Sequence, residues 1–158
     1  MKGKYSRTTD VGEMKKHAAP AICSFYDYWD GKRRDRAMPA RADLDPAEMK
    51  KWLGAIQIID VLNDPRRLKY RLVGQDEVDA RGYNPMGRWV EDGYICSSKE
   101  DALLNYNTVI DNKTMLFDWV EIPVRGGYLE AQQTIFLPLS AAGDTVDKVI
   151  TFTVIRAP

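Results

Sequence analysis

The side chains able to do chemistry are few and scattered. His17 is the only histidine among 158 residues. No serine or cysteine is spaced around it as a nucleophile would be, so the sequence argues against histidine-based triads and multi-histidine metal sites. Cys23 and Cys96 lie far apart without a CxxC spacing and read as reduced thiols of a cytoplasmic protein. Carboxylates are more plentiful, but Asp76, Glu77, Asp79, Glu91 and Asp92 read as solvent-facing loop and helix positions. Gly82, Gly87 and Gly93 are spaced as turn residues and belong to no strand–glycine loop–helix unit for phosphate or dinucleotide. No catalytic residue and no metal site is assigned, and the chain is expected not to be an enzyme.

Binding is the chemistry that remains. Tyr70, Leu72, Tyr83, Trp89, Tyr106, Phe117, Ile135 and Phe152 are candidates to line a space between a sheet and its helices. Arg71 or Arg125 is available there to meet an anion. Aromatic groups with a few polar ones suit a small-molecule pocket, and the same residues at strand and helix spacing suit a packed core. The tyrosines tilt toward binding, because a buried hydroxyl needs a hydrogen-bond partner. Lys plus Arg equals Asp plus Glu at 23 each, so no global charge favours nucleic acid or a membrane surface. The first 16 residues lack the apolar segment of a signal peptide, and no run reaches the roughly 18–20 apolar residues of a membrane span.

The elements that must position these residues can be read in order. Residues 1–17 are polar and read as a flexible arm. From 18 to 31, Ile22, Phe25, Tyr26 and Trp29 recur at helical steps and form an apolar stripe, with Gly31 as a stop. The basic run 32–36 reads as a solvated connection, and residues 37–158 as a single domain. Asp45, Pro46 and Glu48 carry the start signals of a short helix over 46–53. Strands follow over 56–62 and 68–73. The first has Ile56, Ile58 and Leu62 on one face and Ile59 and Val61 on the other. Both faces must then be covered, by the Ile22/Phe25/Trp29 helix, by a second subunit, or by both. That makes Ile22, Phe25, Tyr26 and Trp29 the candidate interface.

Gly74 ends the second strand, 75–81 reads as short helical turns, and Gly82, Asn84, Pro85 and Gly87 force a corner. A helix over 99–111 is capped by Ser97 or Ser98. Three strands close the chain over 114–124, 128–139 and 146–155, with Gly126-Gly127 and Ala142-Gly143-Asp144 as the reversals.

The segment MPARADLDP (38–46), followed by YRLVG (70–74) and GYNPMGR (82–88), resembles the PAS-type family widespread in alphaproteobacteria, over roughly residues 20–155. The resemblance implies an α+β fold: a five-stranded antiparallel sheet with short helices on one face, here with an additional N-terminal helix. It also implies a stand-alone sensory or regulatory role in bacterial signal transduction, through a small ligand, protein contacts, or both. No output segment follows residue 158, so a signalling partner such as a histidine kinase, or a homodimer, is expected to carry the signal. Flavin photosensors of this fold use an Asn-Cys-Arg helical motif, which Cys96, between Ile95 and Ser97, lacks. Haem sensors place a histidine on the helix before the third strand, and 99–111 contains none. The ligand is therefore left open, with no flavin or haem motif. A ligand-free dimerisation or scaffold module is the alternative, and a small α+β enzyme the third reading.

Overall fold

The computed structural model describes residues 4–94, 98–123 and 129–156. Six strands form one antiparallel sheet in the order β1-β4-β5-β6-β2-β3. They are β1 (Lys4–Thr8), β2 (Ile56–Leu62), β3 (Arg67–Val73), β4 (Leu116–Pro123), β5 (Leu129–Leu139) and β6 (Lys148–Arg156). The helices are α1 (Val11–His17), α2 (Pro20–Arg33), α3 (Gln75–Arg81), α4 (Val90–Gly93) and α5 (Lys99–Asn112). Cys96, Arg125 and the Gly126-Gly127 reversal lie outside the described residues.

The sixth strand is the first correction. Residues expected to form a flexible arm pair antiparallel with β4, from Lys4↔Glu121 to Thr8↔Phe117. Asp10 then caps α1 by accepting the Glu13 amide at 2.8 Å, and Met14 is fully buried. The Asp-x-x-Glu spacing of Asp10 and Glu13 was the available start signal. Composition hid it, because among the described residues of this segment only Met14 is fully buried, with Val11 packed partly against the core.

Each face of the sheet has its own cover. Cross-strand partners share a face, so Phe117, Ile135 and Phe152 lie together, as do Leu72, Ile58, Ile150 and Leu137. Alpha2 covers this side. Phe25 packs 5.1 Å from Phe152 and 5.3 Å from Trp52, and the Trp29 indole donates to Pro138 O at 2.9 Å. Ile22, Phe25 and Trp29 are thus buried in their own chain and are not available as an interface, while Tyr26 is half-buried. The apolar stripe is satisfied by the sheet, so no second subunit is needed to cover β2.

Two expected boundaries change. Gly31 does not stop α2, which runs to Arg33 and is closed by Arg34 at φ 57°. Residues 46–52 form turns rather than a helix, followed by a 3-10 turn at Leu53–Ala55. Asp45 Oδ1 still accepts the Ala47 amide at 2.9 Å, but Glu48 is drawn away to Tyr28 and Lys32, and Tyr28 OH accepts the Asp45 amide. Residues 38–52 supply Met38, Leu44, Met49 and Trp52 to the core, all buried.

The opposite face carries Gln57, Ile59, Tyr70, Phe136 and Thr151 beneath α3 and α5. The join is made at Gly74, whose amide donates to Ile56 O at 2.8 Å. A Cβ here would stand 2.3 Å from Gly54 O and 2.5 Å from Leu53 O. Gly74→Ala is therefore expected to force the backbones apart and to cost about 1–3 kcal/mol, read as a lowered thermal midpoint without change of fold.

Candidate functional site

Between α3 and the sheet sits a buried polar cluster built on Arg81. Alpha3 starts after Gly74 and ends at Gly82, which takes φ 82°, so Glu77 and Arg81 face inward one turn apart. Their side chains are 6% and 1% exposed, and Arg81 Nη1 lies 3.4 Å from Glu77 Oε2. The guanidinium also donates to Glu77 O at 3.1 Å, Gln57 Oε1 at 2.8 Å, Tyr70 OH at 3.3 Å and Gly93 O at 2.9 Å. These contacts match the five N–H donors of the fork. Gln57 in turn donates to Thr151 Oγ1 at 3.3 Å, and Thr134 and Thr153 hydroxyls pair at 3.0 Å.

Burial pushes the Glu77 carboxyl above the ordinary carboxylate range, while the charge of Arg81 and a hydrogen bond with Thr153 draw it back. The desolvation of two charges is offset only because nearly every polar atom has a partner. Through one side chain, Arg81 ties α3 to β2, to β3 and to α4. Gly93 must approach closely for this, since a Cβ there would meet the Tyr70 ring at 2.8 Å.

The residues expected to line one pocket do not converge. Tyr70 faces α3, and Tyr106, on α5, packs onto the same side of the sheet edge-on to Phe136 at 5.2 Å. Leu72, Phe117, Ile135 and Phe152 lie on the other side of the sheet under α2. Tyr83 is 39% exposed. The Arg71 side chain is 68% exposed and lies 3.8 Å from Asp60. Trp89 is half-buried beneath Arg67, whose guanidinium stands 3.7 Å from the ring centroid. The split follows from strand geometry, because successive side chains point to opposite faces. A register shift at Ile58/Ile59 places Ile58 opposite Leu72 and Ile59 opposite Tyr70, leaving Arg71 unmatched in the ladder.

Glu77, Arg81, Gln57 and Thr151 were not singled out by sequence reading, and Glu77 was expected to face solvent. Its burial is a correction: α3 is wedged between two glycine-hinged turns, so one of its polar rows must point at the sheet. Asp76, Asp79 and Asp92 are exposed, as expected, and Glu91 is half-buried in an ion pair with Arg67. A solvent-open groove of about 330 Å³ between β3 and α5 is lined by Arg66, Arg67, Leu68, Glu91, Leu103, Asn107 and Asp111. Its charges are paired across it, Arg66 with Asp111 and Arg67 with Glu91. Among the described residues no group of three His, Cys, Asp or Glu side chains could hold a metal ion. Nor is any helix among them long and apolar enough to cross a membrane.

A five-stranded antiparallel core with short helices on one face is extended here by β1, α1 and α2. The family model for the PAS domain matches residues 14–153; the chain belongs to the PAS family, a family of sensory modules in signalling. Solved structures are similar to this chain at low identity. An RNA-binding light-oxygen-voltage receptor aligns with TM-score 0.51 and 13% identity, over 96% of this chain and 38% of that one. A light-oxygen-voltage domain studied with a flavin analogue gives 0.49 and 12%, over 70% and 82%. A fungal light-oxygen-voltage photoreceptor gives 0.45 and 13%, over 92% and 99%. No curated protein matches the sequence.

Proposed function

We propose that this chain is a non-catalytic sensory module of bacterial signal transduction whose input site is the Arg81 cluster. The observation that carries the reading is a buried guanidinium, 1% exposed, on the sheet face beneath α3, whose contact with the Glu77 carboxylate is loose at 3.4 Å. A guanidinium fork held in a dry site suits a planar anion. A small carboxylate-bearing ligand would compete with Glu77, the longest of the Arg81 contacts at 3.4 Å. Because Arg81 also holds Gly93 and Tyr70, exchanging its partners would move α3 and the 82–88 corner relative to the sheet. A signalling protein, such as a histidine kinase, would read that shift. A ligand can bias the two arrangements only by its difference in affinity for them.

Native against denaturing mass spectrometry of freshly purified protein, with its absorbance spectrum, tests this. A small molecule released on denaturation, or a thermal midpoint raised by small carboxylates in wild type and more strongly in Glu77→Gln, is the expected result. A clean apo mass with no carboxylate response would overturn the ligand reading.

The second reading, a ligand-free dimerisation or scaffold module, is favoured by the saturation of Arg81, which leaves no donor unmatched. An apo mass at twice the chain weight would support it.

A further inference from the structure

Arg71, which the sequence offers to an anion, stands on the outer margin of the sheet within a group of cations. One row crosses three strands in register, Lys148 on β6, Asp60 on β2 and Lys69 on β3, and Lys69 bridges on to Trp89. Cross-strand partners share a face, so Lys148 and Lys69 flank the Asp60 carboxyl. Lys148 Nζ lies 3.3 Å from Asp60 Oδ1, and Arg71 Nε lies 3.8 Å from Oδ2. Lys69 meets no carboxylate within ion-pair distance among the described residues and rests 5.3 Å from the Trp89 ring centroid. Three cations therefore surround one carboxylate. The adjoining carboxylates are already taken, Glu91 by Arg67 and Asp147 by the Ala141 amide.

The patch is open and is laid out along a strand. Alpha2 covers the middle of this face, at Phe152 and Pro138, while Arg71, Arg67 and Leu62 at the margin stay largely exposed. Alternate residues of a strand stand about 6–7 Å apart, so Arg67, Lys69 and Arg71 repeat at the spacing of alternate side chains in an extended peptide. A visiting main chain cannot pair here, because Tyr70 already exchanges hydrogen bonds with Gly87 and Arg88. Recognition at this margin is therefore a matter of side chains. Nucleic acid fits it less well. With 23 cationic and 23 anionic groups the chain has no net field to gather a polyanion. The rings beside the patch do not stand free for a base, since Arg67 lies over Trp89 and Arg88 over Tyr83.

We propose that Lys69, Arg71 and Lys148 form a docking face for an acidic, extended segment of a partner protein. Its carboxylates, at alternate positions, supply the charge that Asp60 alone cannot, and an apolar residue beside them packs on Leu62. The face lies across the sheet from the Arg81 cluster, so it does not depend on a ligand there. Exposed charges set it up, so the attraction is screened by salt.

Fluorescence anisotropy of a labelled peptide of alternating Glu and Ser, matched to β3 in length, tests the face on the full chain at low salt. Saturable binding is expected, weakened on the order of tenfold in the double variant Lys69→Gln with Arg71→Gln. It should also fade in about 1 M salt, where the Debye length is ~3 Å. Lys15→Gln with Lys16→Gln removes the same charge from exposed positions on α1, at the far margin of the sheet, and should bind as wild type does. Equal weakening in both double variants, or no saturable binding to wild type, would overturn the proposal. So would tighter binding of a single-stranded oligonucleotide of equal charge, or of a phosphatidylserine vesicle, than of the peptide. If Lys69→Gln with Arg71→Gln does not fold, amide shifts of the wild-type protein titrated with the peptide decide the place. Changes centred on β3 and its neighbour β2 support the face, and changes centred elsewhere overturn it.

Discussion

Replacing Arg81 with methionine should lower unfolding free energy by about 3–5 kcal/mol, the largest electrostatic effect expected in this chain. The variant leaves Glu77 buried without its counter-ion and leaves Gln57 Oε1, Tyr70 OH and Gly93 O without their donor. The penalty should depend on pH, and the sign follows from Glu77. Burial already raises its carboxyl above the ordinary range, and loss of Arg81 raises it further. A group that holds its proton more tightly when folded contributes stability at low pH that is lost as pH rises through its folded value. Urea midpoints of Arg81→Met should thus lie nearest to wild type at pH 5 and furthest from it at pH 8. The double variant Glu77→Leu with Arg81→Met removes the stranded charge and should recover much of the loss. A double variant no better than the single one would mean that the hydrogen bonds to Gln57, Tyr70 and Gly93, not the ion pair, hold this corner.

The second large effect is expected at Phe25. The ring is 1% exposed, edge-on to Trp52 and tilted against Phe152. Phe25→Ala should cost about 3–5 kcal/mol through lost burial and the cavity left behind, a large share of the ~5–15 kcal/mol that holds an ordinary domain together. Tryptophan fluorescence during urea unfolding measures it. Tyr26→Ala, half-buried one position on, should cost far less. If α2 were instead a detachable interface element, Phe25→Ala would change the mass in solution while leaving the unfolding midpoint near wild type.

Where a residue's role followed from its own strand or helix, the sequence was enough. Beta2 occupies 56–62, because a run of β-branched residues buried on both faces leaves little choice of structure, and the need for a cover over its outer face followed directly. Alpha3 occupies 75–81 between the two glycines that bound it. What could not be read were facts of pairing. Tyr5 and Arg7 look like a polar arm until Asp118 and Asp101, about a hundred residues away in sequence, supply their partners. Glu77 looks like surface until Arg81, Gln57 and Thr153 surround it. The pocket candidates share large apolar or aromatic side chains with both sides of the sheet, so the sheet itself divides them. Asp45 carried correct capping chemistry and spent it on the Ala47 amide of a turn, while Glu48 turned to Tyr28 and Lys32.

The two margins of the sheet differ in a way that bears on assembly. Beyond β3, the chain itself lies along the margin: Tyr70 exchanges backbone hydrogen bonds with Arg88 and Gly87, and Lys69 bridges to Trp89. Beyond β1, no strand follows among the described residues. Main-chain association by this sheet is therefore polar in direction, able to start at β1 and blocked at β3. Two copies meeting antiparallel along β1 would consume both open margins at once and close under a twofold axis, whereas a head-to-tail fibre would need a margin that the 87–89 segment already occupies.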